Sequence, residues 1–538
     1  MSGIFATFVA PPENIPQALF LGGAQGAWYD PSDNSTMFQD AAGTTAVTAV
    51  EQVVGLILDK RNGLGIGSEV ISNNTFDSDT VWTKGTGWSI GSGVATKTAG
   101  SASNLSQTVT LTAGTTYRVV YTITRTAGTI TPQFSGGSTV TGTARSASGT
   151  YVENLTAVSG NTTFEFAADA SFAGTVDNVY LKRVSGNDAF QTTSASRPTL
   201  RARYNLLTYS EQFDNAAWAA TNVTVTNSLS PVAPDGTATA ETLTASGANG
   251  TVLQSITAIA GGHTFSVYLR RRTGTGNIDI QAGDGVYSTV TLTSDWQRFT
   301  VAATLTAGAR TPGIRIVTSG DAVDAWGAQL VQTNAFPSNT YQRIAAATDY
   351  DTGVNFPQYL AFDGSDDSLL TTSVNFTGGD KVMVFSGVTK LSDAAAGTII
   401  ELSATLGSNN GVFLMRAPDS TAPSYYGWYS KGTAYNGNAT ATSATYASPS
   451  LVVFTGIGDI AGRVQTLRLN GTQAATSAVS QGTGNYGNFP MYIGRRNNAT
   501  LPFSGRLYSL IVCAAASNTT QIAQTERYIA AKTPLGTI

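Results

Sequence analysis

Two stretches of this chain follow one plan, and that constrains its fold more than any other feature. Residues 67–185 open with NNTFDSDTVW, carry TVTLTAGTTYRVVYTIT in the middle and close with TTFEFAADASFAGTVDNVYLKRV. Residues 205–344 open with NLLTYSEQFDNAAW, continue with ITAIAGGHTFSVYLRRR and close with SGDAVDAWGAQLVQ. The shared order is a Phe-Asp-to-Trp opening, a strand after Ala-Gly and a Val-Asp closing strand, which marks a diverged internal repeat. Val109, Leu111, Tyr117, Val119 and Tyr121 alternate at period two around an Ala-Gly turn, the pattern of a half-buried hairpin. Each copy is long enough to bury its own core.

Composition agrees with strands. Of 538 residues 41% are hydrophobic, enough for packed cores, yet only 12% are charged. Thr and Val favour pleated, half-buried strands, while Gly and Asn supply turns. A chain this long should hold about three or four domains. The net charge of −4 and scattered basic residues argue against nucleic acid. No apolar run approaches the ~18 residues of a membrane span. The first basic residue is Lys60, so the start lacks the positive region of a secretory signal. A single cysteine, Cys513, excludes an intrachain disulfide.

Outside the repeats, four phrases stand apart: GAWYDPSD at 26–33, LILDKRNG at 56–63, GNDAFQTTSASRPTLRA at 186–202 and LAFDGSDDSLL at 360–370. Together they resemble one phrase of concanavalin-like (laminin-G-type) jelly rolls in phage and bacterial surface proteins, broken after Gly63 and again after Arg203. The two repeats fill the breaks and resemble carbohydrate-binding-module jelly rolls of the cellulose- and xylan-binding kind. The fold class this implies is all-β, with multiple antiparallel jelly-roll β-sandwiches: one discontinuous concanavalin-like domain, two inserted sandwiches and a short C-terminal helix. The expected pieces are an N-terminal anchor peptide at 1–19, scaffold parts at 20–66, 186–204 and 345–538, and inserts at 67–185 and 205–344. Four domains in series is the alternative. It requires residues 20–66 to fold alone, and a piece so short rarely buries enough core.

Local signals refine this plan. Pro11–Pro12 stops any helix near the start, so residues 1–19 read either as a frayed terminus or as an anchor docking by strand addition. Asn470–Gly471 between alternating runs predicts a type I′ hairpin turn. In NTTQIAQTERYIAAKTP, the spacing of Ile522, Tyr528 and Ile529 predicts a closing helix capped by Asn518 or Thr519 and stopped by Pro534.

Residues suited to catalysis are sparse. Histidine is the usual general base near neutral pH, and the lone His263 follows a Gly-Gly pair with no serine elbow nearby. Cys513, inside LYSLIVCAA, reads as core. Glycoside hydrolysis needs two carboxylates, but no acidic pair stands in a catalytic phrase, so an enzyme is not expected. Asp363, Asp366 and Asp367 lack the spacing of an EF-hand and read first as an Asp-Gly turn. No cofactor is required. The module resemblance does imply a structural Ca²⁺ between opening and closing acids: Asp77 with Asp177, and Glu211 or Asp214 with Asp324. Each of these also reads as a solvated turn residue.

Sugars need flat rings against their C–H faces and short polar groups for their hydroxyls. The densest such run is SYYGWYSKGTAYNGN at 424–438. Strand neighbours point to opposite faces, so Tyr426 and Trp428 share one face, with Tyr425 and Tyr429 on the other. One set is core. The expected platform is Tyr426, Trp428, Lys431, Tyr435, Asn436 and Asn438. Trp82, Trp88, Trp218, Trp296 and Trp326 read mostly as core plugs of the inserts. Arg270–Arg272 reads first as a solvated strand end and second as a contact for acidic polysaccharide.

The resemblance implies a virion surface protein, assembled in the host cytoplasm, whose jelly rolls bind host cell-surface polysaccharide without cleaving it. It would be a tail or head fibre docked on virion proteins through its N-terminal segment, a homo-oligomer with a trimer favoured, and without nucleic-acid or membrane partners. The alternatives are a purely structural capsid or tail decoration protein and a polysaccharide depolymerase.

Overall fold

The computed structural model describes residues 14–20, 23–62, 66–184, 186–227, 231–336, 340–403, 405–420, 424–435, 439–442, 445–516 and 518–538. Nearly all regular structure among them is antiparallel β. Three pairs of facing sheets enclose three separate hydrophobic cores.

The scaffold core is assembled from pieces far apart in sequence. Gly26–Tyr29 pairs with Ser504–Cys513, placing Trp28 opposite Ile511. Thr199–Arg201 pairs with Tyr359–Asp363, which in turn borders Ser504–Cys513. In the facing sheet, Ala189–Phe190 lies between Leu56–Ile57 and Leu369–Asn375. Ala27, Tyr29, Ile57, Ala189, Leu200, Phe362 and Val512 thus share one core. At about 1.5–3 kcal/mol for each large apolar side chain buried, this shared core is what holds the interrupted pieces together.

Polar residues of the broken phrase tie it at its seams. Asp59 accepts from the backbone N–H of Trp28 (2.9 Å) and Asn187 (2.8 Å), and it pairs with Arg61 (2.9 Å). Asp188 accepts from the Asp59 N–H at 2.9 Å and meets Arg118 of the first insert at 3.2 Å. Further on, Ser196 donates to Asp366 at 2.8 Å, and Gln191 donates to Ser368. Such groups are costly to bury unless hydrogen-bonded.

Both inserts are two-sheet sandwiches with a long central strand pair: Thr116–Ala127 with Ala173–Val184, and Gly261–Thr273 with Ala322–Gln332. Their openings fold alike. Phe76 packs on Trp82 at 5.2 Å, and Phe213 on Trp218 at 4.9 Å. Each indole N–H reaches a carbonyl nine residues upstream, that of Asn73 or Tyr209, and both of those residues are left-handed (φ 49° and 48°). The repeat therefore extends to individual hydrogen bonds.

The closing helix spans Thr519–Ala531, with Asn518 and Gln521 forming a reciprocal capping box. Tyr528 and Ile529 lie on the outer face of the Trp28 sheet beside Leu19 and Phe20, and Trp28 meets Tyr528 edge-on at 5.9 Å. Buried Asp30 gathers Lys60 (3.3 Å) and Lys532 (3.2 Å) at this seam. The expected anchor falls largely on residues 1–13, outside the described residues. Its last residue, Leu19, is buried here. Asn470 and Gly471 both have positive φ (48° and 77°), as a type I′ turn requires.

Candidate functional site

The heart of the expected sugar platform, Tyr426 to Lys431, is not a surface. Tyr426 and Trp428 are fully buried. The Trp428 ring stacks near Phe413 (6.0 Å), its N–H donates to the Ile457 carbonyl at 3.0 Å, and it occupies space left by Gly456, whose absent side chain would lie 2.3 Å from the ring. Tyr426 packs edge-on against Phe454 at 5.4 Å. On the other face Tyr429 packs with Leu406, Val412 and Leu414, and Lys431 is buried as well. The strand Gly427–Lys431 is covered on both faces, so alternation could not divide a core side from an open one. Tyr435 is half-buried, and Asn436 and Asn438 lie outside the described residues.

The acids assigned to calcium are each held in other contacts. Asp77 is exposed and accepts from Thr75 at 2.7 Å, while Asp177 accepts from its neighbour Asn178. Asp324 accepts from Thr242 (2.8 Å) and pairs with Arg270 (2.8 Å) and Arg272 (3.2 Å). It sits on the opposite face of its sheet from Glu241, because the register sets Asp324 against Thr242 and Glu241 against Ala325. Asp214 instead meets Glu241, whose carboxyl is pushed up to about 8 by burial and by Asp214. Glu211 accepts from Tyr341 at 3.0 Å. Among the described residues, the acidic group with converging donor atoms is Asp363, Asp366 and Asp367, within 4.8 Å of one another. His263 is buried with Nδ1 against the Gly261 carbonyl at 3.0 Å, and burial lowers its pKa. Burial pushes the Cys513 thiol up to about 12.

The strongest constellation lies on the second insert. In Gly261–Thr273, Phe265, Val267 and Leu269 face the core, so Tyr268, Arg270 and Arg272 face outward. In Ala322–Gln332, Val323 and Ala325 face the core, which turns Asp324 and Trp326 outward. Gly327 follows with φ +64° at a register shift, and a side chain there would crowd Tyr268 and Tyr341. Arg298, paired with Tyr268 on the next strand, joins the same face.

These side chains form one interlocked patch. The Arg270 guanidinium lies 4.9 Å over the half-buried Trp296 ring, whose N–H donates to the Val232 carbonyl at 2.9 Å. The Arg298 guanidinium lies 5.0 Å over Tyr268 and 5.6 Å over Tyr341. Trp326 packs between Tyr268 (5.4 Å) and Tyr341 (4.8 Å). Asp324 balances one of three guanidinium charges, and burial holds the pKa of Glu211 above its usual value. A face of half-buried rings with excess guanidinium suits sugar C–H surfaces and carboxylate or sulfate groups. Sequence reading had the Arg270–Arg272 run but could not show that its first and last members share a face with Trp296, while Arg271 turns to Asp321 (3.2 Å).

No protein-family model matches this sequence, and no curated protein sequence matches it. Solved structures similar to parts of the chain are carbohydrate-binding modules and lectin-like domains. One is the CBM40 of the Ruminococcus gnavus IT-sialidase bound to α2,3-sialyllactose, 13% identical, covering 31% of this chain and 94% of that one, with a TM-score of 0.23. Another is the CBM22 tandem of Paenibacillus barcinonensis Xyn10C, 11% identical, covering 51% and 100%, with a TM-score of 0.22. A third is a SAP-like pentraxin from Limulus polyphemus, 16% identical, covering 30% and 78%, with a TM-score of 0.24.

Proposed function

We propose that this chain is a virion surface fibre protein that binds acidic host cell-surface polysaccharide without cleaving it, on the outer face of its second insert. The carrying observation is the arrangement of Arg270, Arg272 and Arg298 around Trp296, Tyr268 and Tyr341, with Asp324 their one close carboxylate partner among the described residues. Guanidinium groups so held lose little freedom on meeting a carboxylate. The resemblance of the interrupted phrase to phage jelly rolls supports the virion setting. A homo-oligomer, with a trimer favoured, would turn weak single sites into useful avidity, with the N-terminal segment, residues 1–19, docking on virion proteins.

A glycan array on the full chain tests this reading. Acidic members should be retained at low salt and released as salt rises. Retention of no acidic glycan would sink it. Release of reducing ends from host polysaccharide would replace the adhesin with a depolymerase.

A further inference from the structure

A second site of different chemistry lies where the second insert meets the scaffold. A cleft of about 960 Å³ runs between them, near the upper end of the roughly 300–1,000 Å³ typical of ligand pockets. One wall is scaffold: Glu51, Arg201, Asp363 and Asp367 line it. The other is the insert, through exposed Ser255 and Thr257. Neither body forms the cleft alone.

The walls are fixed by a dense seam. Tyr204 stacks on Phe336 at 4.3 Å, and the Arg506 guanidinium sits between the Tyr204 (5.2 Å) and Tyr359 (4.9 Å) rings. Gln342 accepts from the Tyr204 N–H at 2.8 Å and donates to the Ala202 carbonyl at 2.7 Å. Tyr350 donates to Glu51 at 2.8 Å, and Arg201 donates to the same carboxylate at 3.0 Å. The cleft is therefore pre-organised, and a ligand entering it need not order the walls.

Its charges alternate in sign. The Arg201 guanidinium is 46% exposed, and Asp363 is also exposed. Asp367 lies beside Asp363 and Asp366, which together with burial push its carboxyl up to about 7. An ion of either sign would meet a like charge here. A polyol avoids this conflict, because each hydroxyl both donates to a carboxylate and accepts from a guanidinium. Half-buried Val53 and Ile256 add apolar contact for ring C–H faces. We infer that this junction cleft binds uncharged sugar units and is separate in place and chemistry from the arginine-rich face of the second insert.

The test is an array of short gluco-, manno-, galacto- and xylo-oligosaccharides, read with the full wild-type chain and three variants of unchanged melting temperature. Ser255→Trp plugs the cleft from the insert wall. The double change Arg201→Ala with Asp363→Asn removes its polar pair. Trp296→Ala alters only the other face. At least one uncharged oligosaccharide should bind wild type and lose tenfold or more in affinity in the first two variants, with no change in the third. Binding of no uncharged sugar, equal binding by Ser255→Trp, or loss in Trp296→Ala would overturn the inference. Acidic glycans, scored separately, report on the arginine face, so either site can fail without the other.

Discussion

The two inserts share an architecture but put one face to opposite uses. Aligning their central strands from Thr116 and Thr264 places Val120 at Tyr268, Thr122 at Arg270 and Thr124 at Arg272. Val152, paired with Val120, stands where Arg298 pairs with Tyr268. In the first insert this face is docked. Across three neighbouring strands, Asn154 donates to Thr372 (3.1 Å), Arg118 meets Asp188 (3.2 Å) and Lys182 donates to the Gly43 carbonyl (2.8 Å). Val152 packs on Leu56, Leu58 and Phe190. In the second insert the seam with the scaffold uses the far end of the strand, at Val331. The Asp324 end stays open to solvent through Arg270 and Arg272, 29% and 43% exposed. A repeat that docks through this face becomes a support, and the copy that docks elsewhere leaves it open to solvent.

The largest effects should show that the two copies have equivalent cores. Trp82→Ala and Trp218→Ala remove equivalent buried plugs, and each should cost about 3–5 kcal/mol, measured by denaturant unfolding. A loss in only one copy would break the structural equivalence. Somewhat smaller is the docking difference. Arg118→Ala leaves Asp188 buried without its cation, so about 3 kcal/mol should be lost and limited proteolysis should release the first insert. Acidic-glycan binding should persist, since that face belongs to the other copy.

Smaller again, Trp296→Ala or Arg272→Ala should weaken acidic-glycan binding about tenfold, or about 1.4 kcal/mol, without changing the melting temperature. Trp428→Ala should do the reverse, unfolding the scaffold because that ring is core. A further effect concerns pH. Burial and the neighbouring Asp214 keep the Glu241 proton on the folded chain to about pH 8, whereas an ordinary glutamate loses it near 4.5. Its stabilising contribution is therefore present below about pH 4.5 and lost as pH rises towards 8. Glu241→Gln, which needs no ionisation, should raise the melting temperature of the second insert by a few degrees at pH 9 and leave it unchanged at pH 4. An unaltered pH profile would show that burial and Asp214 do not hold the Glu241 carboxyl protonated.

Some of this was legible in the residues. The Phe-Asp-to-Trp openings marked the repeated aromatic plugs, Asn470–Gly471 marked its turn, and the broken phrase placed Trp28 and Phe362 beside the same strand, opposite Ile511 and Gly505. The candidate site was less legible. Matching Asp177 to Asp324 by their shared Val-Asp misaligns the closing strands, because the left-handed residues are Asn178 (φ 51°) and Gly327 (φ 64°), which puts Asp177 at Trp326. A bulge shifts every later side chain to the other face and leaves no sure mark in the alternation. The aromatic run at 424–438 misled for another reason: a strand buried on both sides has the same composition as a sticky surface.

By itself, the sequence determined the all-β class, the repeat, the interruption of the scaffold and the closing helix, because periodicity, turn chemistry and capping act over a few residues. Tertiary structure alone decided which copy of the repeat turns its face to solvent, which rings are core, and that a cleft opens between insert and scaffold. Those outcomes depend on how separately folded surfaces dock, and docking is set by contacts such as Arg118 with Asp188 between residues 70 positions apart, a distance over which no local pattern carries information.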